Sequence, residues 1–178
     1  MRHMLRTLVL LAVFSAINSL TCAAGDIPSR KQRQALPLPM QQFVCNTGYS
    51  VADCVVDSKA VRSVVALYHG EDLGTWTWIL VRSEDWAPLM EKLKLNPASP
   101  ALTVLEMRAT FLEEALLRPS ADRAARLMDD FGFPLNQMID LAITHEMGHA
   151  VCRNLNEFGA DQFGRQLREG RHPTCAGK

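Results

Sequence analysis

Three residues near the C-terminal end of the chain have the types and the spacing of a metal site: His145, Glu146 and His149. On a helix the two histidines lie one turn apart on the same face, so both can reach one metal ion. Zinc is the usual occupant of such a pair. Glu146 lies beside them, where it cannot be a third ligand but can contact a metal-bound water. The spacing therefore indicates a hydrolytic zinc site with a general base and an open coordination position.

A third ligand is available eight residues after His149, at Glu157. One continuous helix would separate the two residues by about 12 Å, which is too far for a shared metal ion. The chain must therefore turn across residues 153–156, where two asparagines tolerate left-handed backbone and can cap a helix start. A second helix is predicted over residues 157–169, ending at Gly170.

Asp161 lies one turn below Glu157 on this second helix, where it can hydrogen-bond a ligand histidine from behind. The alternative is that Glu157 and Asp161 only form a solvated helix face. For the histidine pair, the alternative is an ordinary buried or surface helix. Apolar residues around the pair predict a buried helix face: Leu135, Met138, Ile139, Leu141, Ala142, Ile143 and Met147. Gly148 is a poor helix residue and suggests that a strand or loop passes close to the metal there.

These motifs together resemble the gluzincin metallopeptidases, which pair His-Glu-x-x-His with a downstream Glu-x-x-Ala-Asp. The resemblance covers roughly residues 134 to 165. It implies a zinc-dependent peptidase in which His145, His149 and Glu157 bind Zn²⁺, Glu146 is the general base and Asp161 supports a ligand histidine.

The gap between His149 and Glu157 is shorter than in many gluzincins, which leaves less room for a substrate-binding subdomain and fits small bacterial metallopeptidases better. The metzincin pattern fits less well. Cys152 occupies the place of its glycine, and Leu155 occupies the place of its third histidine.

The first 24 residues read as a signal peptide. Arg2 and Arg6 precede an apolar run over residues 8–17 that is too short to span a membrane, and small residues follow at Cys22 to Ala24. The expected location is therefore the periplasm or the outside of the cell. A lipoprotein anchored at Cys22 is the less favoured alternative, because residues 19–21 make a poor lipobox.

Charge and hydropathy exclude two classes of partner. Removing residues 1–24 removes two of the 19 basic residues and none of the 19 acidic ones. The remaining chain has no basic excess that would indicate nucleic acid or anionic lipid as a partner. No further stretch is long and apolar enough to span a membrane, so no integral span is expected in the mature chain.

Four cysteines remain after Cys22 is removed with the leader. An even number in an exported chain predicts two disulfides, and the favoured pairs are Cys45–Cys54 and Cys152–Cys175. Two other pairings stay open. Cys152 as a metal ligand is a further alternative.

The expected fold is a small α+β, zincin-like domain in which a short sheet packs on a C-terminal pair of metal-binding helices. A mobile leader is predicted over residues 25–42 and the folded domain over residues 43–178. The clearest strand is residues 76–81, and helices are predicted from Ser83 to about Leu95 and from Ser120 to Gly132. Residues 43–56 are expected to form a disulfide loop, residues 59–69 a short helix or strand, and residues 103–112 one bent strand or two.

The sequence therefore predicts an exported zinc metallopeptidase that acts on a peptide or protein substrate. From the resemblance to zincins, an edge strand within residues 103–112 is expected to bind the peptide. Candidates for stabilising the oxyanion are Tyr68, His69, Arg165 and His172. Two alternatives remain: an exported zinc-binding protein without turnover, and a disulfide-stapled interaction module without metal.

Overall fold

The computed structural model describes residues 41–68 and 73–175, so the predicted signal peptide and most of the predicted leader lie outside the described residues. In chain order the helices and strands are β1 (Gln41–Cys45), α1 (Val51–Leu67), β2 (Trp76–Val81), α2 (Ser83–Leu93), β3 (Ala101–Val104), β4 (Ala109–Glu113), α3 (Ala121–Phe131), α4 (Leu135–Cys152) and α5 (Glu157–Arg168). Short 3₁₀ turns follow β3 and β4 at Leu105–Met107 and Glu114–Leu116.

The four strands form one mixed sheet in the order β1-β2-β4-β3. β2 pairs in parallel with β1 and with β4, whereas β3 runs antiparallel to β4. Because β3 has a partner on one side only, it is an edge strand within the described sheet. The prediction of a small α+β domain is confirmed.

The core lies between the sheet and α4. Trp78 and Leu80 of β2 are almost completely buried and belong to one apolar cluster with Ile143 and Met147 of α4. β2 combines aromatic and β-branched residues, which favour a strand buried in a sheet. α4 contacts β3, α1 and α5 in addition, so most of its C-terminal half is buried. This burial holds the helix that carries the two histidines firmly against the sheet.

One predicted boundary near the start of the folded part is wrong, because β1 begins at Gln41, inside the expected leader. Residues 43–56 carry the predicted Cys45–Cys54 disulfide, and α1 begins within them, at Val51. The helix starts there because the Ser50 hydroxyl accepts a hydrogen bond from the backbone N–H of Asp53, which satisfies one of the free donors of the first turn. The ambiguous segment over residues 59–69 is the C-terminal part of this helix as far as Leu67.

Other boundaries match the expected ones closely. Residues 103–112 fall in two antiparallel strands joined by a 3₁₀ turn. Ser120 caps α3, and Gly132 ends it in a left-handed conformation with φ of 71°. Ser83 is not the cap of α2, since Arg82 occupies that position and makes no capping bond with its side chain.

Two disulfides lie within the described residues, Cys45–Cys54 and Cys152–Cys175. These are the two pairs that the sequence favours. The first links the end of β1 to the start of α1, and the second links the last residue of α4 to the C-terminal tail. Among the described helices, none is both long enough and apolar enough to cross a membrane.

Candidate metal centre

The two histidines and Glu146 lie on the buried C-terminal half of α4. The helix ends at Arg153, which adopts left-handed geometry with φ of 51°. Asn156 then caps α5 by accepting a hydrogen bond from the backbone N–H of Gly159 at 3.3 Å. The predicted turn and second helix are therefore present, although the left-handed residue is Arg153 and not an asparagine.

α5 returns along α4 and places its first turn beside the histidines. A Cβ on Gly148 would lie 2.7 Å from the Cα of Ala160, which is closer than any side chain allows. The expectation that a strand or loop passes Gly148 is thus wrong, because the neighbour is α5. The missing side chain at Gly148 lets the two helix backbones come into direct contact.

Three side chains come together where α4 ends and α5 begins. Nε2 of His145 lies 3.0 Å from Oε2 of Glu157 and 3.1 Å from Nε2 of His149. Nε2 of His149 lies 3.5 Å from the same carboxylate oxygen. Among the described residues, His145, His149 and Glu157 form a group that could hold a metal ion.

The second nitrogen of each imidazole is engaged by an acceptor. Nδ1 of His145 lies 2.7 Å from Oδ1 of Asp161, and Nδ1 of His149 lies 2.9 Å from the carbonyl oxygen of Asn154. A carbonyl or carboxylate oxygen can only accept, so each Nδ1 carries the proton and each Nε2 presents a lone pair. The structure therefore places Asp161 where the sequence predicts it.

The consequence is that three lone pairs point at one another. Both Nε2 atoms and Oε2 of Glu157 are acceptors, and no proton of a neutral imidazole lies between them. Such a cluster is repulsive until a cation occupies its centre. The donor set thus fits a metal ion, and the orienting acceptors behind the histidines are those that metal-bound histidines need.

Glu146 is not one of the three potential ligands, but it lines the cleft that His145, His149 and Glu157 also line. It is 5% exposed, and its Oε2 has no hydrogen-bond partner among the described residues. Burial raises the pKa of Glu146, while the nearby His145 acts in the opposite direction. A buried carboxylate oxygen without a partner is costly, and here it lies beside a group of residues that could hold a metal ion.

A cleft of about 790 Å³ opens over the site. The edge strand β3 lies along it, together with the histidine face of α4 and the outer face of α5. Four large apolar side chains on its rim are exposed: Leu95, Phe133, Leu155 and Phe158. Because Glu157 is 75% exposed although it belongs to the ligand group, the site is open to solvent from this cleft.

The structure distinguishes among the other residues that the sequence offers as oxyanion donors or as an alternative metal ligand. Arg165 lines the cleft, Tyr68 and His172 are not among its lining residues, and His69 lies outside the described residues. Cys152 is in a disulfide and has no thiolate to offer a metal.

Sequence reasoning missed the Asn154 carbonyl, which contacts His149, and Thr103, which lines the cleft. A backbone carbonyl cannot be recognised in a sequence, and a single threonine in a strand does not indicate which distant helix it will face.

Neither a scan against protein-family models nor searches of curated proteins and of solved structures found a match to this chain.

Proposed function

We propose that this chain is an exported zinc-dependent metallopeptidase. The observation that carries the proposal is the position of Glu146, a buried carboxylate that has a partnerless Oε2 and lines the same cleft as the group formed by His145, His149 and Glu157. A site that only stores or carries a metal has no use for a buried base beside its ligands. Hydrolysis needs one.

Zinc is the metal that this donor set favours. Two imidazole nitrogens and one carboxylate oxygen, with a position left for water, are the protein ligands of many catalytic zinc sites. Zinc–nitrogen bonds of about 2.0–2.1 Å in a tetrahedron require ligand atoms about 3.3 Å apart. The separations of 3.0, 3.1 and 3.5 Å among the three atoms bracket this value.

When bound, zinc supplies a Lewis acid for the scissile carbonyl and lowers the pKa of a coordinated water toward about 7. The residues of this chain supply the proton transfers and the orientation. Glu146 accepts the proton of the attacking water and returns it to the leaving amine. Asp161 and the Asn154 carbonyl hold His145 and His149 in the tautomer that leaves each Nε2 available.

The cleft supports a peptide as the substrate. Within the described sheet β3 is an edge strand that lies along the cleft, and an extended peptide can add to such an edge through main-chain hydrogen bonds. The exposed apolar side chains at the rim favour a substrate with apolar side chains, because their burial against Leu155 and Phe158 removes apolar surface from water. Arg165, on the outer face of α5, is the described candidate for contact with a carbonyl or carboxylate of the peptide.

A metal-binding protein without turnover would be favoured by a fourth protein ligand that closes the site. The two candidates for that ligand are Cys152 and His172. Cys152 is in a disulfide, and His172 is not in the metal-binding group of the described residues. The open fourth position therefore favours the enzyme.

The proposal is tested by measuring zinc content and peptide cleavage for wild type and for Glu146→Gln. Both proteins should bind one equivalent of zinc, because Glu146 is not a ligand. Cleavage of a peptide library by the variant should fall by about 10²–10⁴, the usual contribution of a general base. Glu169→Gln, an exposed carboxylate at the end of α5, is the matched control and should cleave like wild type. Equal cleavage by zinc-loaded Glu146→Gln, or no cleavage by zinc-loaded wild type, would contradict the proposal.

A further inference from the structure

Two arginines of α5, Arg165 and Arg168, line the cleft but do not belong to the group of potential metal ligands. Carboxylates line the same cleft, and three of them already have proposed roles at the metal centre: Glu146, Glu157 and Asp161. Apart from the two histidines, the arginines are the basic side chains among the described lining residues. They are therefore the cationic groups of the cleft that remain for contact with a substrate.

Arg168 lies on the same stripe of α5 as the residues of the metal centre. At 3.6 residues per turn, Glu157, Asp161 and Arg168 fall within about 40° of one another around the helix axis, and Arg168 lies about 16 Å further along that axis than Glu157. Side chains on a helix lean toward its N-terminus, so the Arg168 side chain extends back toward the metal end. An extended peptide rises about 3.3 Å per residue, so about three to five residues would span this distance.

The Arg168 side chain is held at one of its nitrogens. Nη1 donates to Oγ1 of Thr144, the residue that precedes His145 on α4. The Thr144 hydroxyl is 0% exposed and itself donates to the carbonyl oxygen of Asp140 at 2.6 Å, so its position is fixed by the helix. This contact orders the long side chain before any substrate arrives, which reduces the entropic cost of binding.

The rest of the Arg168 guanidinium is available to a ligand. A guanidinium has five N–H donors, and the Thr144 hydroxyl takes one of them. Among the described residues, none of the ion pairs includes Arg168, and Oδ1 of Asp161, on the same stripe, is at Nδ1 of His145. Arg168 is half-buried in the cleft wall, where its charge is screened less than at an open surface. The cleft thus presents an ordered cation with unused donors.

A carboxylate is the peptide group that such a cation binds best. Its two oxygens match the planar fork of a guanidinium and accept two parallel hydrogen bonds, whereas a backbone carbonyl offers one uncharged oxygen. Arg165 precedes Arg168 by three residues, so it lies on a neighbouring part of the helix surface and adds a second positive charge from a more exposed position.

We propose that Arg168, with Arg165 beside it, forms a carboxylate-binding subsite, so that the substrate is a peptide with a carboxylate about three to five residues from the cleaved bond. This inference rests on the proposed function of the site. The C-terminus of a peptide and an acidic side chain present the same two oxygens, and the experiment separates these two sources.

The first test uses a neutral, amidated peptide that zinc-loaded wild type cleaves. Companion peptides carry either a free C-terminal carboxylate or one glutamate in place of glutamine, at each position up to about five residues from the cleaved bond. Wild type should cleave one companion with a KM about 10-fold lower than that of the neutral parent, the size expected of a charge-assisted hydrogen bond. A preference for the free terminus identifies a C-terminal carboxylate as the ligand, and a preference for an internal glutamate identifies a side chain.

The ratio of the two KM values is then measured in variants. Arg168→Met keeps an apolar stem and removes the charge, so the ratio should fall from about 10 to about 1. Arg165→Met changes an exposed side chain and should lower the ratio about threefold, which also tests the subsite in a variant whose folding is not at risk. Arg171→Met is the matched control, because Arg171 is exposed and is not a lining residue of the cleft, and it should keep the full ratio. No preference for any carboxylate in wild type, or an unchanged ratio in either cleft variant, would overturn the inference.

A binding measurement on metal-free protein does not depend on activity, and it excludes zinc itself as the partner of the carboxylate. Fluorescence anisotropy is measured with labelled hexapeptides of alanine and phenylalanine that differ as before in one carboxylate. Wild type should bind one acidic peptide about 10-fold more tightly than its neutral counterpart, and Arg168→Met should bind both equally. Equal affinities in wild type would overturn the inference even if the protein cleaves peptides. If zinc-loaded wild type cleaves no peptide although this difference in affinity is present, the proposed function fails and the carboxylate subsite stands.

Discussion

Gly164 lies against the backbone of Thr144 with no room for a side chain. A Cβ on Gly164 would lie 2.9 Å from the carbonyl carbon of Thr144 and 3.0 Å from the backbone nitrogen of His145. Gly148, one turn further along α4, contacts Ala160 in the same way. The distance between α4 and α5 is therefore set by the absence of side chains at these two glycines, and this distance allows Glu157 and Asp161 to reach the histidines.

We expect Gly164→Ala to weaken the metal site although no ligand is changed. The added methyl group forces α5 away from α4, at a cost of about 1–3 kcal/mol for overpacking, and this outweighs the gain of about 1 kcal/mol in helix propensity. Zinc affinity, measured by competition with a chelator, should fall together with the melting temperature. Gly159→Ala is the control, because a Cβ there meets only the Asn156 side chain at 3.7 Å or more. An unchanged zinc affinity in Gly164→Ala would contradict the close-packing explanation.

Glu157→Ala should abolish tight zinc binding. Its Oε2 is the one atom outside α4 in the group of potential ligands, and the two histidines alone leave the metal half-coordinated. Zinc titration should show no saturable site at micromolar metal, and zinc should no longer raise the melting temperature, since only metal bound to the folded state stabilises it. Glu169→Ala changes an exposed carboxylate at the end of the same helix and should titrate like wild type. Full zinc retention by Glu157→Ala would remove Glu157 from the ligand set.

Asp161→Asn should have a smaller effect than loss of a ligand. Oδ1 of Asp161 holds Nδ1 of His145 at 2.7 Å, and an asparagine retains an acceptor without the charge. Changes to such supporting groups typically reduce metal affinity about 10–100-fold. Isothermal titration with zinc should therefore still detect one site, with a weaker dissociation constant. Complete loss of zinc binding, or an unchanged dissociation constant for zinc, would show that Asp161 does not act through the His145 imidazole.

The parts of the structure that were predicted correctly are those with strong local signals. β2 is rich in aromatic and β-branched residues, and α3 has both a serine cap and a terminal glycine. The turn between α4 and α5 follows from distance alone, because Glu157 cannot reach His149 along a continuous helix. Local propensity, capping residues and helical geometry were sufficient for these elements.

The parts that were missed depend on tertiary contacts. β1 is five residues long and is stabilised by its pairing with β2. The sequence of β1 alone does not indicate this pairing. α1 has apolar residues on both its buried and its exposed sides, since Val61 is buried whereas Val51 and Val55 are exposed. Its apolar residues therefore do not recur with the 3.6-residue period that identifies a surface helix in a sequence. The position of Thr103 in the cleft was not predicted either, because it arises only when β3 packs against α4.

The Cys152–Cys175 disulfide should support the metal centre as well as the fold. It closes a loop with a sequence separation of 23 and holds the end of α4, next to the turn whose Asn154 carbonyl orients His149. Changing both cysteines to serine should reduce the free energy of unfolding by about 3 kcal/mol and should also lower zinc affinity. The Cys45/Cys54 double serine variant should lose comparable stability but bind zinc like wild type, since that disulfide lies between β1 and α1. Equal zinc affinities in the two variants would contradict the link to His149.

Glu146→Gln should make the metal-free protein more stable while it removes the proposed activity. Burial raises the pKa of Glu146 above its ordinary value of 4.5, so the folded state holds the charged carboxylate less favourably than the unfolded state does. Below pH 4.5 the carboxyl group is protonated in both states and the raised pKa has no effect on stability. As pH rises from 4.5 through the pKa of the folded state, the unfolded chain gains stability by ionising, and wild type loses stability relative to the variant.

The melting temperatures of metal-free wild type and Glu146→Gln should therefore be closest near pH 4 and diverge toward pH 7, with the variant higher. Differential scanning calorimetry over this range measures the gap directly. Glu91→Gln, an exposed position on α2, is the control, and its melting temperature should follow that of wild type across the range. A gap that stays constant with pH would show that the difference arises from packing and not from ionisation. A lower melting temperature for Glu146→Gln at pH 7 would show that the ionised carboxylate is stabilised by its surroundings in the metal-free protein, contrary to the burial of its partnerless Oε2.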